Sequence, residues 1–278
     1  ASQELFVSQP AITKHIQELE AAYQTRLFDR QGSRISLTDS GKLLLEHCER
    51  ILEDYKRLEY EMHLLHNEYT GGLKLGASTT IAQYVLPPLL ASFIGKFPQV
   101  NLSLLNGNSR EIEAALQEHR IDLGFVEGVF RLPNIKYTTF LEDELVAVVR
   151  TGSRLTVGEE ITPEELLHLP LVLRERGSGT LDVFERALQQ HNIKLSSLQV
   201  LMYLGSTESI KLFLEHTDCL GIVSIRSITR ELYSGQLRVV EIKGMPMLRD
   251  FSFAQPQGQE SGLAQVFMQF AMHNNNKL

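Results

Sequence analysis

Between Lys42 and Tyr69 the chain carries neither Pro nor Gly, and Leu44, Cys48, Ile51, Tyr55, Leu58, Met62, Leu65 and Tyr69 step alternately by four and three residues. A helix over this run, capped by Thr38, forms a rod of roughly 40 Å at about 1.5 Å per residue. The 3.5-residue repeat has Leu or Ile at 44, 51, 58 and 65, which favours a coiled-coil partner over burial inside the same domain. Leu44, Ile51, Tyr55, Leu58, Met62 and Leu65 are therefore the expected dimerisation seam. His47, His63 and His66 lie along the rod without a carboxylate or thiol set around them, so no metal is expected there. Thr70, Gly71 and Gly72 form a hinge, after which the periodicity changes.

Upstream of the rod, Val7 to Arg30 reads VSQPAITKHIQELEAAYQTRLFDR. Ser8 is a good N-cap residue, Gln9 and Pro10 suit a first turn, and nothing breaks a helix before Tyr23. Ile12, Ile16, Leu19 and Tyr23 recur at helical spacing and are expected to face a core. Gln9, Thr13, Lys14 and Gln17 fall on the other side, where amide, hydroxyl and ammonium groups match the edges of a major groove. An ordinary amphipathic surface helix explains this pattern equally well. The continuation favours the groove: Leu27 and Phe28 anchor the chain, Gly32 turns it, and Ile35, Ser36 and Leu37 form a short strand. A wing of that kind presents Arg30 and Arg34 to a phosphate backbone.

The strings VSQPAITKHIQELE, LFDR and LTDSG resemble the winged helix-turn-helix of LysR-type transcriptional regulators. That resemblance implies binding of double-stranded promoter DNA through Ser8, Gln9, Pro10, Thr13, Lys14, Gln17, Arg30 and Arg34. It implies a DNA-binding domain over 1–37 and a linker helix over 38–70 that pairs two subunits, with a dimer of dimers as the assembly. RNA polymerase is a further partner that such a regulator would meet at a promoter. Residues 1–6 are expected to end a helix, and the family pattern places a supporting helix upstream of residue 1. The sequence as given is thus expected to lack the first helix of the domain.

A net charge of −7 over 278 residues argues against a DNA binder only globally, because the contact face carries Lys14, Arg26, Arg30 and Arg34. With 43% hydrophobic and 22% charged residues, no apolar run approaches the roughly 18 needed for a membrane span. No basic-then-apolar leader opens the chain, so cytoplasm is the expected location. Cys48 and Cys219 lie far apart without metal spacing and are expected to be reduced, partly buried thiols.

Beyond the hinge, strands and helices alternate. Strands are expected at Leu73 to Ala77, 100–105, 121–126, 145–149, 171–173, 199–203, 219–223 and 251–254. Helices are expected over 81–97 despite Pro87 and Pro88, 109–118, 181–190, 207–216 and 262–272. Such alternation implies an α/β fold with a mostly parallel sheet covered on both faces. The resemblance extends here, to a two-lobe periplasmic-binding-protein-like effector domain over 73–278. Lobe I would take 73–147 and 248–278, and lobe II would take 148–247.

Ligands of open α/β sheets bind beyond the carboxyl ends of strands, where helix N-termini aim free N–H groups. Ser78, Thr79 and Thr80 follow the first strand, and Glu127 ends another. RERGSGT supplies Arg174, Ser178 and Thr180; GSTES supplies Ser206 and Thr207; Ser224 ends a later strand. Together they suit a small anionic effector, such as a sulfate-like, sulfite-like or carboxylate group, with Glu127 as an acceptor or a filter. Helix capping alone explains any single hydroxyl equally well. In GASTT, FVEG, RERGSGT and GSTES the chain is similar to the family branch associated with sulfur assimilation or carbon fixation. The chain lacks a dinucleotide fingerprint, a Walker loop and a G-x-S-x-G elbow, so neither a cofactor nor catalysis is expected. The competing function from another class is a stand-alone solute receptor.

Overall fold

The computed structural model describes residues 8–31, 34–66, 69–129, 131–155, 158–257 and 262–274. It divides into two compact units, Ala1–Asn67 and Glu68–Leu278.

The first unit runs α1 (Gln9–Tyr23), β1 (Phe28–Gln31), β2 (Arg34–Leu37) and α2 (Asp39–His66). Ser8 takes the N-cap position of α1, but its hydroxyl makes no cap bond; its carbonyl accepts from the Ala11 and Ile12 amides at 3.0 and 3.2 Å. The helix ends at Gln24 in the left-handed region, and Glu20 Oε1 ties the following loop by accepting from the Leu27 amide at 2.8 Å. β1 and β2 pair antiparallel with Phe28 opposite Leu37 and Arg30 opposite Ile35, giving the expected wing. Thr38 caps α2 as expected: its Oγ1 accepts from the Gly41 amide at 3.0 Å and donates to the Arg26 carbonyl at 2.7 Å. A Cβ at Gly41 would lie 2.1 Å from the Leu27 carbonyl oxygen, so this close approach requires glycine.

Three expectations for this unit change. Leu19 and Tyr23 are 40% and 60% exposed, and α1 buries no residue, because the described elements of this unit cover its apolar face only as far as the half-buried Ile12 and Ile16. Cys48 is exposed rather than partly buried. Tyr69 lies outside the helix Asp39–His66 and so leaves the heptad seam; it stacks edge-on against Phe97 instead, with centroids 5.6 Å apart. The expected helix end at 1–6, the turn at Gly32, and the side chains of Arg30, Arg34, His63, Leu65 and His66 lie outside the described residues.

The second unit contains β3 (Gly71–Ser78), α3 (Thr79–Tyr84), α4 (Leu86–Lys96), β4 (Val100–Gly107), α5 (Ser109–Gln117), β5 (Leu123–Glu127) and β6 (Ile135–Arg150). It continues with β7 (Glu160–Ile161), β8 (Pro170–Arg174), α6 (Gly179–Gln190), β9 (Gln199–Leu204), α7 (Thr207–His216) and β10 (Leu220–Ser224). Last come α8 (Thr229–Tyr233), β11 (Leu237–Ile242), β12 (Met247–Pro256) and α9 (Leu263–Asn274). Strand order is β4-β3-β5-β12-β6-β10-β8-β9, with β11 beside β6 and β7 beside β11. β3 runs parallel to β4 and β5, and β8 parallel to β9 and β10. Each trio belongs to one lobe. The long antiparallel pair of β6 and β12 spans both, from Ile135 opposite Pro256 to Leu145 opposite Met247.

The hinge glycines are drawn into the sheet, Gly71 opposite Val100 and Gly72 opposite Asn101. The helix expected over 81–97 breaks at Val85, because Pro87 and Pro88 lack the N–H groups that would bond back to Gln83 and Tyr84. Both prolines sit instead in the first turn of α4, where a missing donor costs nothing. β5 and β10 are buried at every position, as strands covered on both faces must be. Lobe I packs Phe93, Phe125, Phe140, Phe253, Phe267 and Phe270 through tilted and edge-on ring contacts. The core of lobe II gathers Leu145, Leu171, Leu173, Phe184, Leu188, Leu220 and Ile222.

Candidate functional site: a polar seam between two lobes

The carboxyl ends of β3 and β5 in lobe I face the starts of α6 and α7 in lobe II, and the two lobes meet there. The Arg110 amide donates to the Gly177 carbonyl at 3.3 Å. A Cβ on Gly179 would fall 2.3 Å from the Glu127 carbonyl oxygen, so the first turn of α6 approaches β5 as closely as backbone allows.

Glu127 occupies the middle of this seam at 4% exposure. Ser109 Oγ holds its backbone, donating to the Glu127 carbonyl at 2.7 Å and lying 3.2 Å from its amide. Oε1 of Glu127 collects Thr80 Oγ1 at 3.2 Å from lobe I, Thr180 Oγ1 at 3.5 Å from lobe II, and Arg249 Nη1 at 3.2 Å. Arg249 also donates from Nη1 to Thr180 Oγ1 at 3.0 Å and from Nε to Asp143 Oδ2 at 2.7 Å. Ser224 Oγ completes Asp143 by donating to Oδ1 at 2.7 Å. A guanidinium thus sits between two carboxylates, and each partner is too deeply buried to survive unpaired.

Arg174 forms a second cluster at 2% exposure. Glu175 accepts from its Nε and Nη2 at 2.8 and 3.1 Å. Nη2 also reaches Thr79 Oγ1 of the opposite lobe at 3.4 Å and the Gly205 carbonyl at 3.3 Å, while Nη1 lies 3.5 Å from Thr207 Oγ1. Thr79 in turn donates to the Gly107 carbonyl at 3.1 Å. Beside this cluster the Tyr84 phenol of α3 donates a short hydrogen bond to Glu208 of α7, another bridge between lobes. Lys211 Nζ supports it, 2.8 Å from Glu208 and 2.7 Å from Glu231. Burial and the Glu208 carboxylate push the Tyr84 hydroxyl well above its usual range. Burial works against charge on Glu208, but Lys211 and Tyr84 outweigh it and hold the carboxyl below its usual value.

Of the residues expected around a ligand, Thr79, Thr80, Glu127, Arg174, Thr180 and Thr207 converge on the seam. Their hydroxyls are already engaged, because a buried carboxylate and guanidinium draw every nearby partner. Ser178 caps α6 by accepting from the Thr180 amide at 3.2 Å, and Ser206 caps α7 by accepting from the Ser209 amide at 3.1 Å. For these two the capping reading holds. Ser224 serves Asp143 rather than an open cleft. Ser78, at 1% exposure, makes no cap bond, and its Oγ has no hydrogen-bond partner. In the first unit Gln9, Lys14 and Gln17 are exposed, while Thr13 folds back to donate to the Gln9 carbonyl at 3.1 Å. Lys14 lies 3.8 Å from Glu18 on that surface.

Asp143 and Arg249 escaped the sequence reading. Arg249 interrupts an inward-facing register that otherwise holds Met247, Phe251 and Phe253, and that interruption was the available signal.

A helix and wing in one unit, with a two-lobed α/β domain carrying a buried polar seam in the other, defines an effector-responsive DNA-binding protein. The chain belongs to the LysR family of transcriptional regulators. Residues 66–275 match the LysR substrate binding domain, and residues 1–42 match the bacterial regulatory helix-turn-helix protein, lysR family. The HTH-type transcriptional regulator YeiE of Escherichia coli K12 is 34% identical over 242 residues, covering 87% of this chain and 80% of YeiE. A probable RuBisCO transcriptional regulator of Gracilaria tenuistipitata var. liui is 31% identical, covering 96% of this chain and 88% of its own length. Among solved structures, the Synechocystis PCC6803 CcmR regulatory domain in complex with 2-PG is similar with a TM-score of 0.66 and 27% identity. It covers 73% of this chain and 97% of that domain. Family membership favours the regulator over the stand-alone solute receptor. Among the described residues no helix is long and apolar enough to cross a membrane.

Proposed function

We propose that this chain is a cytoplasmic, homodimeric regulator whose promoter binding responds to a small anion held between its lobes. Ser78, Thr79, Arg174 and Thr207 receive the anion, and Glu127, Thr80 and Thr180 form the wall against it. One observation carries this reading: Arg174, almost wholly buried, extends from the end of β8 to hydroxyls of both lobes. Glu175 holds the Nε–Nη2 edge of this guanidinium, which leaves Nη1, 3.5 Å from Thr207 Oγ1, as the donor side suited to an oxyanion. The CcmR regulatory domain, of similar fold, takes 2-PG.

Binding at a junction favours the lobe arrangement in which both sets of donors reach the ligand, and this differential affinity is what shifts the equilibrium. Residues 1–37 carry DNA contact through Gln9, Thr13, Lys14 and Gln17, with Arg30 and Arg34 on the wing. The helix α2 pairs two subunits, a dimer of dimers follows the family pattern, and RNA polymerase is the partner met at the promoter. The anion reading is tested by thermal shift across sulfate, sulfite, phosphate and small carboxylates. At one hundred times its dissociation constant a ligand stabilises by about 2.7 kcal/mol. Arg174→Gln is expected to abolish the shift; a shift of unchanged size would place the anion elsewhere.

A further inference from the structure

Three buried polar atoms of the seam are left without hydrogen-bond partners; Arg249 Nη2 still has the Asp143 carboxylate 2.7 Å away as an ion pair, and the other two ask for opposite things. Oε2 of Glu127 is removed from solvent and accepts no bond, although Oε1 of the same carboxylate collects Thr80, Thr180 and Arg249. The Ser78 hydroxyl is equally buried and equally unpartnered. A buried polar group without a partner costs roughly 1 to 3 kcal/mol, and more when charged. Glu127 does not turn away to relieve this, because Thr80, Thr180 and Arg249 hold Oε1 of the same carboxylate and the Gly179 backbone closes over its Cγ. An ionised carboxylate oxygen only accepts, so whatever meets Oε2 must bring an N–H or O–H. Ser78 and Arg174, by contrast, offer donors.

We propose that the effector is bifunctional: a small acid that also carries a hydroxyl or ammonium group, with the acid held by Ser78 and Arg174 and the donor group satisfying Glu127 Oε2. This rests on the reading that an anion binds between the lobes. A bare oxyanion such as sulfate has no proton to give and would set its charge against Glu127. α-Hydroxy acids and α-amino acids carry both functions two atoms apart. A site built to hydrogen-bond a ligand OH or NH rejects the analogue that lacks it, since the site's own polar group is then left unpaired.

Matched pairs decide the matter on the unmodified protein: acetate against glycolate and glycine, and propionate against lactate and alanine, each titrated by calorimetry. The donor-bearing member of each pair is expected to bind at least about tenfold tighter. In Glu127→Gln, whose NH2 cannot accept, the preference for glycine and alanine over acetate and propionate is expected to fall towards parity, whereas the hydroxyls of glycolate and lactate can accept from that NH2; circular dichroism stays unchanged. Equal affinities within the pairs on the parent protein overturn the bifunctional effector and leave the anion reading standing. If none of these acids, sulfate or sulfite binds, the anion reading itself fails, and this inference with it. Should Glu127→Gln not fold, the pairs on the parent protein still decide.

Discussion

Glu127 and Arg249 meet 3.2 Å apart from Oε1 to Nη1, their side chains 2% and 0% exposed, at the point where β5 and the crossing strand β12 lie side by side. The same guanidinium contacts Asp143 on β6, so one cation joins a strand end in lobe I to both strands that span the lobes. Removing it leaves Glu127 without its cation and Asp143 with only the more distant Arg226, 3.8 Å away, and the Ser224 hydroxyl. Arg249→Met, which keeps the length of the side chain but not its charge, is expected to destabilise by about 3 to 5 kcal/mol. Urea denaturation measures it. A loss below about 1 kcal/mol would mean that the carboxylates find other partners or water.

Much of the lobe architecture was legible because its signals are local. The run at 207–216 opens with Ser206 as a cap and ends before a strand, and the helix has those bounds. Short apolar runs at 171–173 and 219–223 gave buried strands within a residue or two of their observed ends. What escaped depends on pairing between distant segments. β11 carries no clean alternation and becomes a strand by pairing with Ala147 to Arg150 on β6. Asp143 and Arg249 are 106 positions apart in sequence, and each by itself reads as a surface charge. The hydroxyl-bearing loops were visible as a group, but which hydroxyls cap helices and which meet Glu127 is fixed only when the lobes come together.

Gly179 tests how tightly the lobes must close. An added Cβ meets the Glu127 carbonyl oxygen at 2.3 Å, a distance that only backbone movement can relieve. Gly179→Ala is expected to cost about 1 to 3 kcal/mol through overpacking and to weaken ligand-induced stabilisation, because α6 must retreat from β5. Thermal melts with and without the best ligand of the screen report both effects. A variant with parental melting and parental ligand response would show that the close approach is not needed.

The heptad helix exposes four of the residues expected to form its seam, while Leu44 is half-buried. In the single chain Ile51, Tyr55, Leu58 and Met62 are 66%, 58%, 55% and 47% exposed, an apolar stripe that suits a second copy of the helix. Leu58→Asp places an unpaired charge in that stripe and is expected to cost several kcal/mol of association. Sedimentation velocity at micromolar concentration should show monomers; a variant that stays dimeric puts the interface elsewhere.

On DNA, base readout and backbone contact separate by their dependence on sequence. Gln17 is exposed on α1, and Gln17→Ala is expected to bring specific and scrambled duplexes closer in affinity. Arg34, paired with Gln31 across the wing, is expected to act on phosphate. Arg34→Ala should therefore weaken all duplexes alike and lower the slope of affinity against salt by about one ion. Fluorescence anisotropy of the full-length protein measures both. If the two variants lose equally on every duplex, Gln17 does not read bases.

The bridge from Tyr84 to Glu208 gives the stability of the second unit a defined dependence on acid. Burial disfavours the charged Glu208, yet hydrogen bonds from Lys211 and Tyr84 hold its carboxyl below the ordinary value of 4.5. A carboxyl lowered in the folded state stabilises the fold above its unfolded pKa, and that contribution disappears as pH falls through the folded value. The unfolding free energy is therefore expected to decline in acid below the ordinary carboxylate range. Tyr84→Phe deletes one of the two supports and the contact between lobes, leaving Lys211 in place. At neutral pH it should cost about 0.5 to 1.5 kcal/mol, and the acid-dependent decline should become shallower because Glu208 then sits nearer its unfolded value. Parallel denaturation curves from neutral pH down to pH 3.5 compare the two proteins. If Tyr84→Phe matches the parent in both midpoint and acid dependence, the phenol contributes nothing across the lobes, and Lys211 with Arg230 holds Glu208 low without it.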